Sequence, residues 1–171
     1  MLGLKHGANR LEDYDPEWPV AFHDERHRIQ SVLGELARGI EHYGSTSVVG
    51  LRAKPIIDIL VGITPLDDWI RCKAPLEGLG YDYAPKGGVP GHFIFGRGRD
   101  RAERTHLVHV VEFDGQSWRS CLAFRDALRA DESLRAAYLQ AKERAVRSAP
   151  EGRAQYNDLK QSFFESLGRR V

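Results

Sequence analysis

The sequence predicts an α+β fold: a small mixed β-sheet flanked by helices, with a helical C-terminal half packed against it. Three observations predict it. Ile56, Ile57, Ile59, Leu60, Val61 and Ile63 form an apolar run with both alternations filled, as in a strand buried on both faces. Thr105 to Phe113 alternates, with His106, Val108, Val110 and Glu112 on one face and Leu107, His109 and Val111 on the other. From Ser117 onward the period changes to that of a helix, with Trp118, Leu122, Arg125 and Leu128 at helical intervals. Strands followed by a run of helices define an α+β chain.

The chain has 171 residues, enough for one domain with a real core, its sheet spanning about 39–113 and its C-terminal helices about 117–167. Hydrophobic residues make up 42% and charged residues 29%, the make-up of a soluble globular protein. A net charge of +1 supplies no global field toward nucleic acid or membrane. No apolar run approaches the length of a membrane span, and the first residues show no signal-like apolar core, so the expected location is cytoplasmic. Cys72 and Cys121 lack metal-ligand spacing and read as free thiols.

In chain order, Asp15-Pro16 is a helix start, with Pro16 suited to the first turn and Asp15 to the cap. Val20, Phe22, Ile29, Val32, Leu33 and Leu36 give a stripe to about residue 38, and Trp18 packs at the start. His23 and His27 lie one turn apart among charged neighbours, which reads as a solvated face. Gly39 to Tyr43 is the first strand and 56–63 the second. Pro65 opens a helix over Leu66 to Leu79 with Trp69, Ile70 and Leu76 inward, and Pro75 predicts a kink or a break in it. Short strands follow at Tyr81 to Ala84 and His92 to Phe95, either side of a Gly- and Pro-rich loop. The turn from Gly96 to Arg104 carries Arg97, Arg99, Arg101 and Arg104, a solvated turn or an anion contact. Beyond Ser117, a second helix capped by Asp131 or Ser133 carries Leu134, Tyr138, Leu139 and Val146. A third starts at Pro150, with Tyr156 and Lys160 one turn apart.

The chemistry concentrates between His42 and Ile63. Asp58 interrupts the apolar strand, and a carboxylate in a core strand is costly unless paired with a cation, a basic side chain or N–H groups. About a dozen residues upstream, Gly44-Ser45 ends a strand, where glycine allows a tight turn and close approach of a ligand. The N–H groups after such a turn suit an anion. The stretch therefore offers a phosphate cradle and a buried acid.

Gly-Ser followed by an Asp in an apolar strand is similar to the signature of the nucleotidyltransferase superfamily. The longer segments Asp13 to Pro19, Ile40 to Val61, Thr105 to Val111, Leu122 to Arg129 and Tyr156 to Lys160 together resemble the GrpB family, over nearly the whole chain. That resemblance implies a nucleotidyltransferase-like fold and the transfer of a nucleoside monophosphate from a nucleoside triphosphate to an acceptor the sequence does not identify. On this reading Asp58 and His109 are the catalytic residues. Asp58 holds Mg²⁺ or Mn²⁺ together with His109 or Glu112, and Gly44, Ser45, Thr46, Lys54, Arg125 and Lys160 contact nucleotide phosphates or acceptor. The sequence departs from the superfamily at Leu60, where a second acid would share the face of Asp58. The departure keeps a rival open, a non-catalytic nucleotide- or metabolite-binding module on the same fold. A third reading gathers His42, His106 and His109 into a transition-metal site. Neither a membrane nor a strong nucleic-acid signature is present.

Overall fold

The structure is a computed structural model that describes residues 1–85, 89–100 and 102–148. In chain order the elements are β1 (Leu4–Lys5), α1 (Glu17–Leu33), β2 (Gly39–Tyr43), β3 (Ile57–Ile63), α2 (Ile70–Gly78), β4 (Asp82–Tyr83), β5 (Phe93–Arg97), β6 (Glu103–Arg104), β7 (His106–Glu112), α3 (Gln116–Ala130) and α4 (Glu132–Ser148). Five strands form one sheet in the order β2-β3-β7-β5-β4, while β1 and β6 pair separately. β3 and β7 run parallel and the other neighbours in the large sheet are antiparallel. This is the mixed sheet the sequence predicts.

The alternation of β3 divides the core. Ile57, Ile59, Val61 and Ile63 pack with Ile40, Val108 and Val110 under Trp18, Phe22, Ile29 and Leu33 of α1 and Cys72 and Leu76 of α2. On the other face Leu60 and Val111 pack under Trp118 of α3. Gly39 and Gly62 are register partners on that second face. A Cβ at Gly39 would lie 2.6 Å from the Trp118 ring, and one at Gly62 would lie 2.8 Å from Phe113. Bare backbone here lets α3 lie close over the sheet. A third cluster of Val48, Leu51, Leu128 and Tyr138 ties α3 and α4 to the loop that follows β2.

Three expectations need correction. Val20, Val32 and Ile70 are 50%, 37% and 56% exposed, so they lie off the inward stripes assigned to them. The buried row of α1 is Trp18, Phe22, Glu25, Ile29 and Leu33, a clean three-and-four spacing that contains an acid. An aliphatic side chain left on the surface costs little, so apolar residues alone mark the stripe imperfectly. The break in the helix after Pro65 falls before Ile70, where a short 3₁₀ turn over Leu66–Trp69 gives way to α2, and Pro75 sits inside α2. Asp15 caps α1 as expected, its Oδ1 accepting the Glu17 N–H at 2.9 Å. Asp131 does the same for α4, accepting the Leu134 N–H at 3.0 Å. The helix expected from Pro150, with Tyr156 and Lys160, lies outside the described residues.

Candidate functional site

Sheet register fixes which side chains meet. On the α3 face, Tyr43, Asp58 and Leu107 form one row across β2, β3 and β7. The next row along is Glu41, Leu60, His109 and Ile94. Asp58 and His109 therefore share a face, with Cα atoms roughly 8 Å apart from one strand spacing and two residues of rise. Tyr43 leans between them, its ring meeting the His109 ring edge-on at 5.4 Å.

Gly44 follows Tyr43 and closes the site at Asp58. Its φ of 74° lies in the left-handed region that glycine adopts without strain. A Cβ there would lie 2.5 Å from the Asp58 Oδ2. Glycine is thus required twice over, by the turn and by the carboxylate against it. Ser45–Ser47 then make a single 3₁₀ turn, in which Ser47 Oγ donates to the Gly44 carbonyl at 2.6 Å. The C-terminal helices hold this turn from outside. Arg129 of α3 donates to the Ser47 carbonyl through Nε at 3.1 Å and Nη2 at 2.8 Å. Ser45 Oγ lies 3.4 Å from the Tyr138 hydroxyl of α4.

Thr46 does something other than the sequence suggested. Its hydroxyl is buried and donates to the Ile56 carbonyl at 3.3 Å. That leaves its oxygen to accept from His42 Nε2 at 3.0 Å. The side chain ties the turn to the strand and is not available to a phosphate. Burial, and then the charges of Arg129 and Arg125, push the His42 imidazole down to about 3. Burial and then Arg97 do the same to His106, also to about 3.

Both histidines are therefore neutral in the folded chain, and the unfolded chain takes up the extra protons below its ordinary pKa near 6.5. Stability from these two groups is complete above about pH 6.5 and is lost as pH falls from there toward 3. We expect the urea midpoint to drop steadily between pH 6.5 and 4, with each histidine contributing at most about 1.4 kcal/mol per pH unit. Replacing His42 with Gln should flatten that slope; an unchanged slope would show that His42 titrates normally.

The remaining candidates separate. Glu112 lies on the opposite face, where its Oε2 accepts the Leu66 N–H at 2.6 Å. The sheet stands between it and Asp58, so the structure does not bring them together. His106 shares that opposite face with His42, while His109 faces α3, so the three-histidine site is not assembled. Among the described residues no group of three His, Cys, Asp or Glu side chains converges on a point that could hold a metal ion. Lys54 stands at the foot of β3, its carbonyl accepting the Ile56 N–H at 2.8 Å. Arg125 reaches from α3 to the Glu41 carboxylate at 2.9 Å and the His42 carbonyl at 3.0 Å. Three arginines of the basic turn are engaged internally: Arg97 binds Glu25, Arg99 binds Glu103 and Arg104 binds Asp82, while Arg101 lies outside the described residues. His23 and His27 are exposed on α1.

Sequence reasoning missed four residues around the site. His92 places its Nδ1 3.1 Å from His109 Nδ1. It also lines a cleft with Tyr83, Ala84, Pro85, Val89, Pro90 and Ile94. Arg129 and Tyr138 brace the Ser45 turn; the sequence places Arg129 at the end of the Leu122–Arg129 segment and Tyr138 on a helix stripe, but nothing local shows that either reaches this turn. Glu41 was legible: the alternation of Ile40-Glu41-His42-Tyr43 places it on the face of Tyr43. Burial, with the charge of Asp58 behind it, pushes the Tyr43 phenol well above its ordinary value, so it stays protonated beside the carboxylate.

Residues 9–170 match the family model described as GrpB protein. The chain belongs to the GrpB family. It is 31% identical to the glutamate-rich protein GrpB of Alkalihalophilus pseudofirmus over 170 residues, covering 98% of both chains. Among solved structures, the conserved protein GrpB from Enterococcus faecalis superposes with a TM-score of 0.77 at 29% identity, over 92% of this chain and 99% of that one. The Cid1 poly(U) polymerase, in a structure titled as MgGTP-bound, superposes with a TM-score of 0.52 at 13% identity, over 80% of this chain and 44% of that one. The GrpB chain thus has the nucleotidyltransferase-like fold. No helix among the described residues is long and apolar enough to cross a membrane.

Proposed function

We propose that this GrpB protein binds a nucleoside triphosphate with a divalent cation on the α3 face of its sheet and transfers the nucleoside monophosphate to an acceptor. One observation carries the reading: the Gly44 backbone lies so close to Asp58 that a side chain between them has no room. A turn that suits phosphate and a carboxylate that suits a cation thus form one site. The polymerase that shares this fold has been solved with MgGTP, which supports the same class of ligand here.

Asp58 is the residue that would hold one Mg²⁺ or Mn²⁺ here, the bound nucleotide sharing the ion. Mg²⁺ is commonly bound by one or two carboxylates plus substrate phosphates. Such an ion neutralises charge on the transferring phosphoryl group. Gly44, Ser45, Lys54 and Arg125 bind and orient the triphosphate in this reading; Lys160 lies outside the described residues. In this reading His109, in contact with Tyr43 and His92, manages the acceptor's proton. The acceptor atom attacks the α-phosphorus, the bond to the β-phosphate oxygen breaks, and pyrophosphate leaves.

Leu60, fully buried in the Trp118 cluster, favours the second reading, a module that binds nucleotide without transfer. The two readings separate on pyrophosphate. The protein is incubated with Mg²⁺ and each nucleoside triphosphate across an acceptor panel of hydroxyl, amine and RNA-end compounds. Transfer predicts pyrophosphate release with at least one pair. Tight nucleotide binding without release from any pair would select the binding module.

A further inference from the structure

We infer that Glu41 is the second carboxylate of this site, supplied from β2 in place of the acid that β3 lacks at Leu60. The inference deepens the nucleotide-binding reading and rests on it. Its starting point is register. Glu41 lies directly opposite Leu60 in the antiparallel β2–β3 pair, two residue pairs along from Tyr43 and Asp58 and so on the same face. Opposed residues in such a pair carry Cβ atoms about 4.5–5.5 Å apart on the same face. A carboxylate at position 41 therefore starts about one strand spacing from where one at position 60 would start. From Asp58, Glu41 is the diagonal neighbour, about 7–8 Å away, which lies within reach of long side chains. Glutamate has one methylene more than aspartate, and that extra reach suits the position set farther back.

Burial assigns the roles the same way. Leu60 is fully buried beneath Trp118, with Tyr43 and Phe113 around it, so a charge at that position would be stripped of water. The Glu41 side chain is 42% exposed. It faces solvent on the α3 side of the sheet, the side that carries Asp58. The Gly44 turn lies against Asp58 on the same side, so phosphates seated there would meet both carboxylates across a shared cation.

Arg125 at present holds Glu41, and its other contacts explain how the pair can open. Its Nη1 also donates to the His42 carbonyl at 3.0 Å, and its Nε donates to Asp126 at 2.8 Å. The guanidinium stays anchored when Glu41 leaves and is then free to take a phosphate oxygen. Cation and triphosphate would arrive together and exchange for one ion pair, so no charge is left bare. The simpler assignment makes Glu41 only the surface partner of Arg125, an arrangement that contributes little to stability.

The two assignments give opposite signs in a metal titration that needs no turnover. Mn²⁺ alone is titrated into the full chain and followed by water-proton relaxation, for wild type, Glu41→Gln, Asp58→Asn and Arg125→Gln. Unfolding midpoints are measured in parallel. With Glu41 as a ligand, Glu41→Gln weakens Mn²⁺ by about tenfold or more, because a charged ligand is lost. Asp58→Asn weakens it at least as much. Arg125→Gln tightens it severalfold, because the competing cation is gone. If Glu41→Gln binds as wild type while Asp58→Asn is weakened, Glu41 is no ligand and the nucleotide reading survives without it. If Arg125→Gln weakens Mn²⁺ as Glu41→Gln does, the pair is a structural unit and the inference is overturned. If Asp58→Asn has no effect either, both the inference and the site reading fall together.

Discussion

Asp58→Asn should abolish Mg²⁺-dependent binding of a non-hydrolysable nucleoside triphosphate and leave the fold intact. Asparagine matches aspartate in shape, so the β3 register and the close contact with Gly44 survive. What disappears is the charge that holds a cation against the triphosphate, and an amide nitrogen pointing at that cation repels it. We expect the affinity to fall by about a hundredfold, close to 3 kcal/mol. Calorimetry on both forms, with and without Mg²⁺, measures it. In wild type, removing Mg²⁺ should cost about as much as the substitution does. In Asp58→Asn, adding Mg²⁺ should make little difference. Equal affinities for the two proteins would make Asp58 a structural acid, with Tyr43 and the Gly44 turn as its surroundings.

The sheet was legible because its signals are local. An apolar run filled on both alternations identified β3, and the alternation of β7 set His106 and His109 on opposite faces before any partner strand was known. The GrpB resemblance turned that into a fold and singled out the Gly44–Asp58 pair, which the structure brings into contact. What could not be read was what lies across a strand. That Glu41 opposes Leu60 is a fact about β2–β3 register, and register emerges only when two strands pair. Glu112 was grouped with Asp58 on residue type, but it faces the other way and caps the turn at Leu66. Thr46 sits in the Gly-Ser-Thr run that suggests phosphate, yet its hydroxyl faces the core, where a buried carbonyl and a neutral imidazole need it. The clearest failure of periodicity is in α1, where Val20 and Val32 were read as inward and the charged neighbours of His23 and His27, Glu25 among them, as a solvated face. A hydrophobic stripe marks where water is excluded on average, and it cannot show that partners three elements away make one acid worth burying.

Glu25→Ala is therefore expected to give a large loss of stability without touching the candidate site. The Glu25 side chain is 3% exposed. Its Oε1 accepts the Tyr81 hydroxyl at 2.8 Å, and its Oε2 accepts Arg97 at 2.7 Å and Arg28 at 2.8 Å. These donors come from α1, the segment before β4, and β5, so one carboxylate joins three elements on the α1 face. Alanine leaves the buried Tyr81 hydroxyl without its acceptor and Arg97 beside a neutral His106. Removing one partner of a buried pair costs about 3–5 kcal/mol, and Arg28 and Arg97 retain some access to water, which places the expectation near about 3 kcal/mol. Glu25→Gln keeps an acceptor for Tyr81 and loses only the charge, so it should cost about half as much. Guanidinium unfolding of the three proteins, with the slope checked for constancy, measures both differences. Nucleotide affinity of the folded Glu25→Ala protein should match wild type, because β3 and β7 separate this network from Asp58. A loss of less than about 0.5 kcal/mol would class the network with ordinary surface pairs. A full loss in Glu25→Gln as well would show that the charge, and not the Tyr81 hydrogen bond, holds α1 to the sheet.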